Sequence, residues 1–360
     1  MASKTRTTPS MLTVRAGSEA RATLMREGFR ADSFSTLLGA SGGPKWLVLP
    51  SIDRVLARRL IGPRSRPLHA LGTSIGAFRH AALAQPDAIS AIDRFEHVYA
   101  AQVYRRKPTP AEVTQESRRI LGVLLGADGV RNALGHPTLR LHVGVARSHG
   151  LSATERPAVL ASALALTATA NAVSRRLLRL AFDRVVFHGS QKPAFHFDDL
   201  PTCNVALNST NFEDATLASG SIPLVMQAIR DLPGAPRGFY RDGGVTDYHF
   251  AMDFVAPPGL IFYPHFSNHI VPGWFDKMLR WRHAHGPLLA RTVLVTPSHE
   301  FIASLPGGKI PDRSDFQVFS TSERQRRWEK VRDSSRRLGD ALEELFEGNR
   351  LAEAALPFRG

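Results

Sequence analysis

The chain has 360 residues, 43% of them hydrophobic, with a formal net charge of +14 and an isoelectric point near 10.7. That is apolar material for a full core, in one large domain or two ordinary ones, and it excludes a disordered or fibrous chain. The single cysteine, Cys203, excludes an internal disulfide and a multi-cysteine metal site.

Residues 1 to 30 are polar and charged, with no apolar run long enough for a signal peptide, so a soluble cytoplasmic protein is expected. Within them Ala20, Leu24 and Met25 give Gly17 to Glu27 helical spacing, as an outer helix before a first strand, Ser33 to Leu38. A glycine turn, Ala40 to Lys45, follows at once. Pro44 fits a first helical position, where its missing N–H costs nothing. Trp46, Leu47, Leu49, Ile52, Val55, Leu56 and Leu60 then supply the apolar face of a helix. Pro67 to Leu71 completes a strand, helix, strand unit, which implies adjacent parallel strands with a right-handed crossover. Pro86 to Gly135 reads as mostly helical, broken at Pro108 and Pro110, and Leu139 to Val145 alternates as a strand.

Helical runs occupy Ala158 to Leu180. Their first part, Ala158 to Ser174, is the longest uncharged stretch; it falls short of the roughly 20 strongly apolar residues that span a bilayer and reads as a core or lid helix. Short strands follow at Arg184 to His188 and Cys203 to Leu207, the latter with Cys203 as a buried thiol. Asn211 is placed to cap a helix that runs to Ala218. Phe239 to Arg241 leads as a strand into Asp242, and Gly259 to Pro264 and Thr292 to Val295 finish the sheet. Thr321 to Glu347 has helical propensity, dense mixed charge and a narrow apolar stripe of Leu338, Leu342, Leu345 and Phe346. The alternation argues for an α/β layered fold with a central, mostly parallel sheet flanked by helices. It divides into an N-terminal segment with an outer helix (1–30), a catalytic domain (31–300) and a charged helical C-terminal extension (301–360).

The chemistry concentrates in three glycine-bearing segments: Ala40-Ser41-Gly42-Gly43-Pro44-Lys45, Gly72-Thr73-Ser74-Ile75-Gly76 and Asp242-Gly243-Gly244. The second lies between a strand-like and a helix-like run, the context of a nucleophile elbow, where a sharp turn exposes the serine. A serine hydroxyl needs a neighbouring base, and the charge that grows on the substrate oxygen needs preorganised N–H donors. Asp242 leaves a strand directly into two glycines and can approach a neighbouring strand end closely, which makes it the favoured base. Gly42 and Gly43, with the amide of Ile75, are candidate oxyanion donors; Pro44 has no N–H to offer.

Together with Ala218-Ser219-Gly220-Ser221-Ile222-Pro223, these segments resemble, in order, the motifs of the patatin-like phospholipases. The resemblance covers about Leu38 to Gly244. It implies a patatin-like fold with a Ser-Asp dyad, Ser74 and Asp242, at strand C-terminal ends, no catalytic histidine, and lipid or phospholipid esters as substrates. Two departures stand out. Ser41 and Trp46 occupy places where the family usually has glycine, and Val245-Thr246-Asp247-Tyr248-His249 replaces a frequent Asn-Pro after the aspartate. Asp247 is thereby a candidate supporting acid and His249 a candidate tuning group, while Lys45 is a candidate contact for an anionic headgroup.

An α/β-hydrolase triad of Ser74, Asp242 and His299 has the right chain order as well, although the glycine turn lies only one helix before the elbow. His265, His269, His283, His285 and His299 lack trustworthy metal spacing, and neither a metal nor a cofactor is expected. The positive charge would suit nucleic acid, an anionic membrane or acidic substrates. Only seven of the 46 basic residues are lysine, the arginines form no dense tract, and no nucleic-acid motif is present, so a basic binding protein with a degenerate site is the weaker reading. Peripheral contact with anionic lipid through the basic residues of 324–337 competes with ordinary ion pairing to the interleaved acids. Oligomeric state has no signature in the sequence.

Overall fold

A computed structural model describes residues 11–104, 107–251, 254–284 and 286–358; His285 and the first ten residues of the N-terminal segment lie outside them. An eleven-stranded sheet organises the fold. In chain order its strands are β1 (Leu12–Ala16), β2 (Phe34–Gly39), β3 (Leu68–Thr73), β4 (Leu139–Ser148), β5 (Phe182–His188), β7 (Thr202–Ala206), β8 (Ile229–Arg230), β9 (Phe239–Asp242), β11 (Leu260–Pro264), β12 (Thr292–Pro297) and β13 (Ala355–Pro357). A separate two-stranded ribbon pairs β6 (His196–Phe197) with β10 (Phe254–Val255). The main path runs β13-β1-β12-β11-β2-β3-β4-β5-β7, with β9 beside β4 and β8 beside β9. The central strands β12, β11, β2, β3 and β4 are mutually parallel, and β4 then turns antiparallel to both β5 and β9.

The helices are α1 (Ser18–Glu27), α2 (Pro50–Leu56), α3 (Ile75–Leu83), α4 (Ala88–Ala100), α5 (Pro110–Leu125), α6 (Gly129–Leu134), α7 (Pro157–Val173), α8 (Phe212–Ser219), α9 (His299–Ser304), α10 (Asp315–Val318) and α11 (Thr321–Glu347). All nine residues of α3 are buried. That fits its composition, which is apolar all round apart from Arg79 and His80. Arg79 is neutralised by a two-pronged ion pair to Asp53 of α2, at 2.6 and 2.8 Å. The long helix expected after the glycine turn is broken into a 3₁₀ stretch (Gly43–Val48), α2 and a π turn (Ala57–Ile61), because Pro50 cannot continue a helix and instead starts one.

The terminal segments join the same sheet. Leu12, Val14 and Ala16 of β1 alternate inward, and β1 lies between β12 and β13. α11 crosses α2 where Gly339 meets Ser51: a Cβ at 339 would lie 2.9 Å from the Ser51 side chain and backbone. Its apolar face is broader than the sequence stripe implies. Trp328 and Val331 join Leu338, Leu342 and Phe346 in the main core, while Leu345 is only partly buried.

Three other expectations need correction. Of the two readings of α7, core or lid helix, burial on all sides does not hold. Leu160, Ala163, Leu164, Thr167 and Asn171 face inward, while Val159, Leu166 and Val173 are exposed; an uncharged sequence does not by itself say which face is covered. Asn211 precedes α8 but does not cap it through its side chain, whose oxygen accepts instead from the Asn208 amide at 2.9 Å. Cys203 is half-buried. No helix among the described residues is long and apolar enough to cross a membrane.

Candidate active site

β4 explains how two residues 168 positions apart meet. Residues 139–144 of β4 pair with β3 and end on the partners Thr73 and Gly144; residues 145–148 pair with β9, beginning with Val145 and Asp242. Ser74 and Asp242 therefore follow each other along one edge of a single strand. The Ser74 hydroxyl donates to Asp242 Oδ2 at 2.8 Å, with no histidine ring between them. Both residues are buried.

Ser74 sits at φ 53°, ψ −129°, between the end of β3 and the first turn of α3. A non-glycine residue in that region stores roughly 1–3 kcal/mol of strain, which the surrounding structure must hold. It is held from two sides. The Ser74 amide donates to Ser219 Oγ at 2.8 Å, and that hydroxyl donates to the Gly144 carbonyl of β4 at 2.6 Å. On the other side α3 closes against β2 so tightly that a Cβ on Gly76 would lie 2.1 Å from the Gly39 carbonyl oxygen. Gly76→Ala is thus expected to destabilise the fold by at least about 3 kcal/mol in urea unfolding.

Asp242 is fixed through its other oxygen, Oδ1, which accepts from the Gly244 amide at 2.7 Å. A Cβ on Gly243 would lie 2.2 Å from the Gly144 carbonyl, so only glycine lets this turn approach β4. Burial pushes the Asp242 carboxyl above its ordinary value of 3.8; Arg313, the Ser74 and Gly244 hydrogen bonds and Lys277 oppose that shift without cancelling it. The result is a base more proton-hungry than an exposed aspartate, held against the hydroxyl it would deprotonate.

Gly43 begins the 3₁₀ stretch and Ile75 begins α3, positions whose amides have no intrahelical acceptor. Among the described residues no protein atom accepts from the amides of Gly42, Gly43 or Ile75. Gly43, Pro44, Ser74 and Ile75 line one cavity of about 820 Å³, whose wall is largely apolar and includes Phe78, Ile120 and Met226. Ser41 closes the turn: its amide donates to the Tyr248 carbonyl at 3.0 Å, and its hydroxyl to Thr73 Oγ1 at 3.0 Å.

The remaining sequence candidates stand farther from the chemistry. Asp247 binds the buried Arg184 guanidinium through both carboxylate oxygens, at 2.7 and 2.8 Å, while its carbonyl accepts from Thr73 Oγ1 at 2.8 Å. It supports the turn after Asp242. His249 is buried; its Nδ1 accepts from the Val271 amide at 3.1 Å and its ring stacks on Tyr248. Burial holds its pKa well below the ordinary histidine value, so the ring is neutral. Lys45 lies 5.4 Å from the Phe266 ring centre, and burial lowers its pKa. His299 is exposed at the start of α9. Among the described residues no group of three or more His, Cys, Asp or Glu side chains is arranged to hold a metal ion.

Sequence reasoning gave no role at this site to Ser219 or Arg313, and placed Arg324 only among the basic residues that could meet anionic lipid. Ser219 lies inside a motif that was already visible, whereas the two arginines occupy a loop and a charged helix with no recognisable pattern.

No protein-family model and no curated protein matches the sequence. The crystal structure of VipD from Legionella pneumophila aligns with a TM-score of 0.34 and 13% identity, over 99% of this chain and 76% of that one. A likeness of that strength carries no argument about fold or function.

Proposed function

We propose that the protein is a serine acyl hydrolase that cleaves carboxylic esters, of lipid or phospholipid type, through an acyl-Ser74 intermediate. The observation that carries this reading is the 2.8 Å hydrogen bond from Ser74, on a strained elbow, to a buried carboxylate with a raised pKa. Asp242 takes the hydroxyl proton as Ser74 Oγ attacks the ester carbonyl. The amides of Gly42, Gly43 and Ile75 receive the developing oxyanion. The protonated Asp242 then gives its proton to the departing alkoxide, and in the second half it deprotonates the water that releases the acid; an alcohol in place of that water gives transacylation. The apolar cavity wall suits an acyl chain, and the resemblance to patatin-like phospholipases supports lipid as the substrate class. Direct donation from Ser74 to Asp242 favours a dyad over a triad, in which an imidazole separates the two.

Fluorophosphonate labelling tests the reading: wild type is expected to react and Ser74→Ala to stay unlabelled, and equal labelling of both would overturn it. Peripheral contact with anionic lipid belongs to the same proposal, with vesicle co-sedimentation that weakens as salt rises as its measurement.

Two further results are expected. Asp242 must be ionised to accept the proton, so kcat/KM on a soluble ester should rise with pH along an acid limb displaced upward from the ordinary carboxylate range. A limb at or below 3.8 would contradict the raised pKa. Ser219→Ala removes the acceptor of the Ser74 amide and should lower kcat by about 10- to 100-fold, together with roughly 1–3 kcal/mol of stability. Unchanged kcat would show that the elbow holds its geometry without this bond.

A further inference from the structure

The cavity at Ser74 has one-sided electrostatics. Its charged lining residues are Lys107, Arg313 and Arg324, and no aspartate or glutamate lines it. Arg324 is the unusual member. It is 2% exposed, on the first turn of α11, and its guanidinium lies 4.2 Å from the ring centre of Phe316 and 4.8 Å from that of Trp328. One terminal nitrogen donates to the Gln102 carbonyl, but Nε has no partner and no carboxylate lies within ion-pair distance among the described residues. The neighbouring carboxylate, Asp315, is committed to Trp328 Nε1 and Lys309, both at 2.8 Å. An arginine stays charged in proteins, and a buried charge without a partner is costly enough that folds rarely keep one. Arg313 brings a second cation to the same cavity. Its side chain passes 3.3 Å from where a Gly43 Cβ would stand, and among the described residues it has no ion-pair partner.

We infer that the substrate is an amphiphilic anion: its apolar chain lies along Ile75, Phe78, Ile120 and Met226, and a separate carboxylate or phosphate is seated by Arg324 and Arg313. The inference rests on the hydrolase reading only for which bond is cut; the binding of an anionic amphiphile does not depend on it. Arg324 offers the planar fork that matches either oxyanion, and Arg313 adds a charge at the turn beside Ser74. Arg324 acts on substrate binding and not on proton transfer, so its signature is in KM; Arg313 also bears on the Asp242 carboxyl, so its part is read in binding alone.

The test uses the full chain carrying Ser74→Ala, which separates binding from chemistry, and three ten-carbon probes: decanol, decanoate and decyl phosphate. By calorimetry at low salt, at least one anionic probe is expected to bind about 10- to 100-fold tighter than decanol. The tighter of the two names the group. Arg313→Gln and Arg324→Met should each erase most of that preference while leaving decanol unchanged. Arg324→Met removes a buried charge that has no carboxylate partner but also the hydrogen bond to the Gln102 carbonyl, two opposed effects on stability, so Tm should move little. Equal affinity for all three probes, or equal loss of all three in both arginine variants, would overturn the inference. In the active protein Arg324→Met should raise KM for an anionic ester and leave kcat and the neutral-ester KM in place. A fall in kcat on both esters would reduce Arg324 to a structural residue. If the binding preference holds but Ser74→Ala still cleaves esters, the hydrolase reading fails alone.

Discussion

Ser74→Ala is expected to lower ester hydrolysis by on the order of 10⁴- to 10⁶-fold, and Asp242→Asn by about 10⁴-fold, with both proteins folded. The hydrogen bond of the serine hydroxyl goes to Asp242, the proposed base, so its removal is expected to take away chemistry and little stability. A carboxamide in place of the Asp242 carboxylate cannot accept the proton, yet it keeps an oxygen for the Gly244 amide and fits the same space. Stability supplies the internal control. With its carboxyl held above 3.8, native Asp242 binds its proton more tightly than the unfolded chain does. Its contribution to stability is therefore fully present below pH 3.8 and is lost as pH rises through the folded pKa. At neutral pH Asp242→Asn should melt at or above the wild-type temperature. An inactive variant that melts well below wild type would mean that the loss reports unfolding, and near wild-type turnover in either variant would sink the dyad.

A chain ending at Ser320 is expected not to fold. It lacks Trp328, Val331, Leu338, Leu342 and Phe346, all buried in the main core, and with them the contact of Gly339 on Ser51. Loss of a single large buried side chain typically costs about 2–5 kcal/mol, so the sum exceeds the roughly 5–15 kcal/mol that hold a domain together. Trp328→Ala alone should cost about 3–5 kcal/mol. Urea unfolding and protease resistance measure both. A truncated protein with a cooperative transition at the wild-type midpoint would show that α11 is an appendage. Three basic residues of this helix are also occupied: Arg326 and Arg327 pair with Glu323, and Arg332 with Glu96. Its apolar face is not free to enter a bilayer while the domain stays folded.

Most of the architecture near the elbow was legible because glycine, serine and aspartate carry backbone information as well as chemistry. Gly76 and Gly243 mark places where two backbones nearly touch, and those contacts bring Ser74 and Asp242 into register on β4. β1 was missed although Leu12, Val14 and Ala16 alternate, because five residues inside a charged segment give a weak period-two signal. α7 was misplaced for the opposite reason: with alanine, leucine and threonine on every side, no face stands out, and tertiary packing alone selects Leu160, Leu164 and Asn171 for burial. The burial of Arg324 had no local signal at all. It depends on the rings of Phe316 and Trp328, and a basic residue in a charged helix otherwise reads as solvated.

The place of β1 in the sheet bears on how the protein is made. Thr13 pairs with Thr296, 283 positions away, and among the described residues the other edge of β1 pairs with Ala355–Pro357. During synthesis β1 is made well before either neighbour, β12 or β13, a wait of roughly 15 to 60 s at ordinary elongation rates. Through that interval an alternating apolar strand offers two unpaired edges to any other nascent chain. The nascent protein is thus prone to aggregate until β12 and β13 have been made, and a holdase that covers residues 12–16 would raise yield more than one acting on the finished fold.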